Sequence, residues 1–202
     1  MCASDVNVQA IIWDVDGVLI KSKDALGRYL WHKNIEADLG LSTDQMRRIY
    51  SGNWPLVMKG IVDTRQYFKT VFAELDIKLS VDLFIEYWLE HDLNINTEIF
   101  PILETIERTK LYIGTNQDSF RTTFIQQQFE PYFNRIFSSC KMGFIKPERG
   151  FFEYIESNLN IRSKNIAFID DSESNINVAE QFGWSRHHYQ NIESLKNFIL
   201  HL

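Results

Sequence analysis

The segment Ala10-Ile11-Ile12-Trp13-Asp14-Val15-Asp16-Gly17-Val18-Leu19 decides the fold. From Ala10 to Asp14 it is apolar without alternation, the pattern of a strand buried on both faces, and it ends in two carboxylates two residues apart followed by a glycine. Such a cluster at the mouth of a buried strand is costly unless something positive sits there. Extended backbone would send successive side chains to opposite faces, but a turn beginning at Val15, which Gly17 permits, swings Asp16 back toward the pocket of Asp14. One carboxylate can then attack while the other handles protons. Asp-x-Asp-Gly alone also reads as a surface turn, so this segment leaves both readings open.

Two more segments share the strand pattern, Lys110 to Gly114 and Asn165 to Ile169, with shorter strands expected around Arg135 to Ser138 and Arg186 to Tyr189. Helical patterns at Ser119 to Phe129, Glu148 to Asn158 and Ser174 to Phe182 separate them, the last stopped by Gly183. Strands alternating with helices mean an α/β fold, a Rossmann-like parallel sheet with crossover helices. Residues 22–96 differ: they carry no strand pattern, have aromatics and Leu/Ile at helical spacing, and break near Gly40, Gly52-Asn53 and Leu79-Ser80. They are expected to form an inserted α-helical cap of about four helices. The core is then 1–21 with 97–202. Because the insertion follows the first strand, the cap rises at the carboxyl end of the sheet, where open α/β sheets bind ligands.

Three other clusters follow strands or precede helices. Asp170-Asp171-Ser172 closes an apolar strand; two acidic pairs at two strand ends call for a cation, and oxygen ligands without His or Cys favour Mg²⁺. A helix N-cap is the competing reading. Gly114-Thr115-Asn116 offers a hydroxyl, an amide and backbone N–H groups in a phosphate-sized nest, though Thr-Asn is also a common cap and turn pair. In Gly143-Phe144-Ile145-Lys146-Pro147 the proline holds the backbone while the lysine reaches inward; a lone lysine is otherwise usually solvated.

Composition excludes other classes. The chain has 202 residues, 45% of them hydrophobic, with 9 Gly and 4 Pro, which speaks for a packed globular protein. A net charge of −6 argues against a nucleic-acid partner. No stretch approaches the roughly 20 apolar residues of a membrane span, and Met1 to Ala10 lacks a charged start and an apolar run, so a cytoplasmic location without membrane contact is the expectation. Cys2 and Cys140 form no metal or disulfide pattern, and the adjacent His187 and His188 on a strand point to opposite faces. In the cap, Trp54, Lys59, Arg65 and Trp88 could face the site or serve as cap core and surface.

Taken in order, Asp14-x-Asp16, Thr115, Lys146 and Asp170-Asp171 resemble the four motifs of the haloacid dehalogenase superfamily, over the whole chain. The cap position and Asp170 to Ile176 are similar to the subfamily of sugar-phosphate and phosphoglycolate phosphatases. The resemblance implies a small-molecule phosphate ester, a sugar phosphate or similar metabolite, as substrate and Asp14 as the nucleophile that forms an aspartyl-phosphate. It also implies that Asp16 is the acid and base, that Thr115 and Lys146 hold phosphate oxygens beside Asn116, and that Asp14, the Asp16 carbonyl, Asp170 and Asp171 hold Mg²⁺. Dehalogenases of the superfamily lack an acid at the Asp16 position. A phosphomutase of the β-phosphoglucomutase type and a non-catalytic binding protein on the same fold are the alternatives.

Overall fold

A computed structural model describes residues 7–24 and 26–202; Cys2 lies outside them. Strand β1 (Ala10–Trp13) lies at the centre of a five-stranded sheet. Between it and the next strand come a 3₁₀ turn (Leu30–His32) and helices α1 (Ile35–Leu39), α2 (Thr43–Ile49), α3 (Trp54–Met58), α4 (Thr64–Glu74), α5 (Val81–His91) and α6 (Phe100–Leu103). Then follow β2 (Lys110–Thr115), α7 (Ser119–Phe129), β3 (Arg135–Ser138), α8 (Ser139–Met142), α9 (Arg149–Leu159), β4 (Ile166–Asp170), α10 (Glu173–Gln181), β5 (Ser185–His188) and α11 (Ile192–Leu200). The strand order is β3-β2-β1-β4-β5 and every pairing is parallel.

Continuous apolar strands are what a sheet covered on both faces demands. Ile11, Trp13, Leu111, Ile113, Ala167 and Ile169 face a cluster that includes Ile125 and Phe129 of α7 and Leu195 of α11. Their neighbours Ala10, Ile12, Tyr112, Ile166 and Phe168 face the opposite cluster, with Phe151, Phe152 and Ile155 of α9 and Ala179 of α10. The chain leaves β1 toward β2 and β3, then crosses back to β4 on the other side. The crevice between the carboxyl ends of β1 and β4 is therefore the topological switch point, the usual ligand site of such sheets.

In residues 22–96 the breaks fall where glycine and capping chemistry put them. Gly40 ends α1 in the left-handed conformation (φ 68°), Ser42 and Gln45 form a capping box at α2, and Asp63 and Ser80 cap α4 and α5. The expected count of about four helices is low: five α-helices and a 3₁₀ turn occur there among the described residues. The error comes from α1 and α3, five residues each, too short to show a helical period. This segment has its own apolar cluster, built on Trp31, Met46, Phe68, Phe72, Phe84 and Trp88, with Phe120 of α7 packed against it.

Candidate active site

The site forms where the register aligns three strand ends. Trp13 pairs with Ile113 and Ile169, so Asp14 is level with Asp170, and the Asp14 N–H donates to the Ile169 carbonyl at 2.9 Å. The Asp14 side chain is 7% exposed and its Oδ1 lies 2.7 Å from Lys146 Nζ. The lysine is itself buried and sits 2.7 Å from Asp170 Oδ2. Burial and Asp170 push Asp14 well above the usual carboxylate range, against the pull of Lys146. At Lys146 burial acts downward, but Asp14 and Asp170 outweigh it and raise the ammonium, which stays charged.

Gly17 shows why the turn after Asp14 takes its shape. Its φ is +84°, and a Cβ there would lie 2.1 Å from Asp171 Oδ2, so only glycine lets the first loop close on the end of β4. Carboxylate oxygens of Asp14, Asp170 and Asp171 lie within 4.8 Å of one another. With no nitrogen or sulfur ligand in the group, this donor set fits a hard, oxygen-loving dication. Asp170 is further held by the Ser172 N–H (2.8 Å) and by Asn175 Nδ2 (2.9 and 3.0 Å).

The Asp16 carboxylate does not join that group. It takes a bidentate contact from Arg121 (Nη1 2.6 Å, Nη2 2.7 Å) and a bond from Gln117 Nε2 at 2.6 Å. Any contact of Asp16 with a cation in the acidic group must then come from its backbone oxygen. Burial raises Asp16, yet the charge and hydrogen bonds of Arg121, with Gln117, outweigh it and hold the carboxyl below the usual range. Arg121 Nε also meets Asp92 Oδ2 at 2.7 Å; burial, with the Asp16 charge, outweighs the pull of Arg121 and lifts Asp92 to about 6.

Thr115, at the end of β2, is buried and points its hydroxyl into the same cavity, 3.3 Å from Gln117 Nε2. The Asn116 side chain holds the lysine loop: its Nδ2 donates to the Lys146 carbonyl (3.0 Å) and its Oδ1 accepts from the Lys146 N–H (2.7 Å). Both ends of the amide clamp that loop, and one Nδ2 hydrogen remains beside the cavity that Asn116 also lines. Trp54 and Trp88 line the cavity, whereas Lys59 pairs with Glu148 and Arg65 with Asp82. His187 stacks on Phe198 and His188 bonds the Asp171 carbonyl. Sequence reasoning missed Arg121, Gln117 and Asp92. The available signal was that Arg121 is the single charge in α7.

The site is thus a cluster of carboxylates and a lysine at the switch point of a parallel α/β sheet, facing residues 22–96 across a cavity. The family model of haloacid dehalogenase-like hydrolases matches residues 8–183, and the chain belongs to that family. No curated protein matches it. Among solved structures it is similar to a HAD family enzyme of Bacteroides thetaiotaomicron in complex with magnesium and inorganic phosphate (21% identity, 91% of this chain and 94% of that chain, TM-score 0.76). A predicted HAD-like hydrolase of Porphyromonas gingivalis has 17% identity, 90% coverage of each chain and a TM-score of 0.72. L-2-haloacid dehalogenase of Xanthobacter autotrophicus, with chloropropionic acid covalently bound, has 14% identity over 89% of this chain and 76% of that one, TM-score 0.65. At these identities the likeness is one of fold. No helix among the described residues is long and apolar enough to cross a membrane.

Proposed function

We propose that the chain is a magnesium-dependent phosphatase of small-molecule phosphate monoesters, acting in the cytoplasm through an aspartyl-phosphate on Asp14. The observation that carries this reading is the joint placement of Asp14 against Lys146, at 2.7 Å, and within 4.8 Å of Asp170 and Asp171, with a second acid at Asp16. In this reading residues 1–21 and 97–202 form the catalytic core and 22–96 the cap. Asp14, Asp170, Asp171 and the Asp16 backbone carbonyl hold Mg²⁺, which when bound neutralises charge between the nucleophile and the incoming phosphate. That role suits a relative whose structure contains magnesium with inorganic phosphate.

The chain's own groups do the rest. Asp14 Oδ attacks phosphorus in line, forming the acyl-phosphate bond as the ester P–O bond breaks. Lys146 and the Thr115 hydroxyl hold equatorial oxygens, and Asn116 keeps the lysine loop in place. Asp16 gives a proton to the leaving alkoxide and afterwards takes one from the attacking water. Its pairing with Arg121 favours the ionised form that the second half-reaction needs, and the first requires Asp16 to take up a proton before the alkoxide leaves. The acid at this position favours hydrolysis of a phosphate ester over dehalogenation.

The test is hydrolysis of p-nitrophenyl phosphate by the purified protein with Mg²⁺. Activity should disappear in EDTA and return on adding back the metal; undiminished turnover after chelation would remove the cation from the mechanism.

A further inference from the structure

The phosphate end of the cavity continues into a space whose far wall is aromatic. The whole cavity has a volume of about 630 Å³, large enough for a metabolite with a ring system attached to its phosphate. Trp31, Tyr50, Trp54 and Trp88 come from four separate segments of the cap and converge there. Their ring centroids are mutually close: Tyr50 to Trp54 4.8 Å, Trp31 to Trp88 5.9 Å, Tyr50 to Trp88 5.9 Å and Trp54 to Trp88 6.1 Å. The thioethers of Met46 and Met58 line the same space. Packing alone would account for buried Trp31 and Trp88, but Tyr50 and Trp54 are only half-buried and are part of the lining.

Several of the polar groups near this wall are already engaged, although Lys23, His32 and Thr43 also line the cavity. Arg121 serves Asp16, Asp92 and the Gln117 side-chain oxygen. Trp88 Nε1 donates to Asp92 Oδ2 at 3.1 Å, and Arg47 pairs with Asp44. A sugar ring can stack on such a wall only through its C–H faces, and any hydroxyl turned to the indole and phenol faces goes without a partner once water is displaced. A planar ring loses nothing there and gains stacking with indole and phenol faces and contacts with methionine sulfur.

We infer that the cap cavity selects phosphate monoesters whose alcohol carries a planar aromatic or heteroaromatic ring, seated against Trp31, Tyr50, Trp54 and Trp88 while the phosphate lies at Asp14. This rests on the phosphatase reading and replaces sugar phosphates as the preferred class within it. The phosphoryl chemistry is unchanged: the bond broken is the same ester P–O bond and the alcohol leaves with the proton from Asp16.

The test compares primary alkyl phosphates, so that leaving-group acidity is matched: riboflavin 5′-phosphate and pyridoxal 5′-phosphate against ribose 5-phosphate and glucose 6-phosphate, all with Mg²⁺. The ring-bearing esters should have kcat/KM higher by about tenfold or more, the scale a well-filled apolar pocket provides. In Trp54→Leu that ratio should fall, chiefly through KM; because it is a ratio within one protein, partial unfolding cancels. Equal or better turnover of the sugar phosphates, or an unchanged ratio in Trp54→Leu, would overturn the inference. If no ester is hydrolysed, the phosphatase reading fails and calorimetry on Asp14→Asn protein decides the cavity separately. Saturable binding of riboflavin or pyridoxal without binding of glucose supports the aromatic site, and no binding or equal binding of glucose overturns it.

Discussion

Asp14 and Asp16 are two residues apart and meet opposite environments. One faces Lys146 and the acidic group, and the other faces Arg121 and Gln117. That division assigns them different losses. Asp14→Asn has no nucleophile and should abolish turnover of every phosphate ester. Asp16→Asn should lower kcat by about 10²–10⁴-fold on alkyl phosphates, the usual worth of a positioned acid or base, and still form phosphoenzyme from p-nitrophenyl phosphate. Rapid-quench trapping of the phosphoenzyme checks this, and an active Asp14→Asn with an Asp16→Asn that cannot be phosphorylated would reverse the roles. The meeting of Asp14, Thr115, Lys146, Asp170 and Asp171 was legible because each follows an apolar strand or precedes a helix, and parallel topology gathers such ends. Arg121 and Asp92 were not, since their partners lie 105 and 29 positions away from Arg121 in the chain and nothing local marks the pairing. The clamp of Asn116 on the Lys146 backbone was not legible either, because a turn amide looks the same whether it meets a phosphate or a neighbouring backbone.

Residues 22–96, the cap of the proposed reading, meet the rest of the chain through α3 and α8 at a closely packed glycine. Gly60 has φ +68°, and a Cβ on it would lie 2.1 Å from the Cys140 backbone carbonyl oxygen, an atom that cannot move aside alone. Next to it Lys59 Nζ reaches Glu148 Oε1 across the same seam at 2.6 Å. These two contacts should differ sharply in weight. Gly60→Ala has to shift α3 from α8 or distort the backbone, and we expect a destabilisation of about 1–3 kcal/mol, the range for strained and overpacked positions, with a rise in KM as the cap sits less closely. Lys59→Ala removes an ion pair whose side chains are 24% and 38% exposed, and it should change stability by less than about 1 kcal/mol. Urea midpoints of the two variants check the order; a Lys59→Ala loss exceeding that of Gly60→Ala would show that charge, not close backbone approach, docks the cap. The strands were legible from their apolar runs alone, whereas the cap's short helices were not, because their positions depend on packing against α4 and α5.

At the scale of the whole molecule the buried charges do not balance, and this sets how stability follows pH. Arg121 is shared by Asp16 and Asp92, and at Asp92 burial, helped by the Asp16 charge, outweighs the guanidinium and raises the pKa from 3.8 to about 6. A carboxyl raised on folding binds its proton more tightly in the native state than in the unfolded chain. Between about pH 4 and pH 6 the native protein therefore holds more protons, and stability falls as pH rises through that window. The shift of roughly two units corresponds to about 3 kcal/mol at this 8% exposed side chain, at about 1.4 kcal/mol per unit. Asp16 works in the opposite direction, because its lowered pKa gives stability that is lost only as pH drops below its unfolded value. Asp14, Asp118 and Asp171, all raised chiefly by burial, reinforce the decline above pH 4 in metal-free protein. Chelated protein should then unfold at higher urea at pH 5 than at pH 7. Asp92→Asn should flatten the slope between pH 4 and pH 6, since its side-chain oxygen can still accept from Trp88 and Arg121 without adding charge. Mg²⁺ at about 100 times its dissociation constant should restore about 2.7 kcal/mol at pH 7 and less at pH 5, where its carboxylate ligands hold protons. Equilibrium urea titrations of both proteins at the two pH values, with and without the metal, measure all three effects. A slope in Asp92→Asn equal to that of the parent would mean that Asp92 stays ionised beside Arg121 throughout, and that the decline belongs to the carboxylates around Asp14.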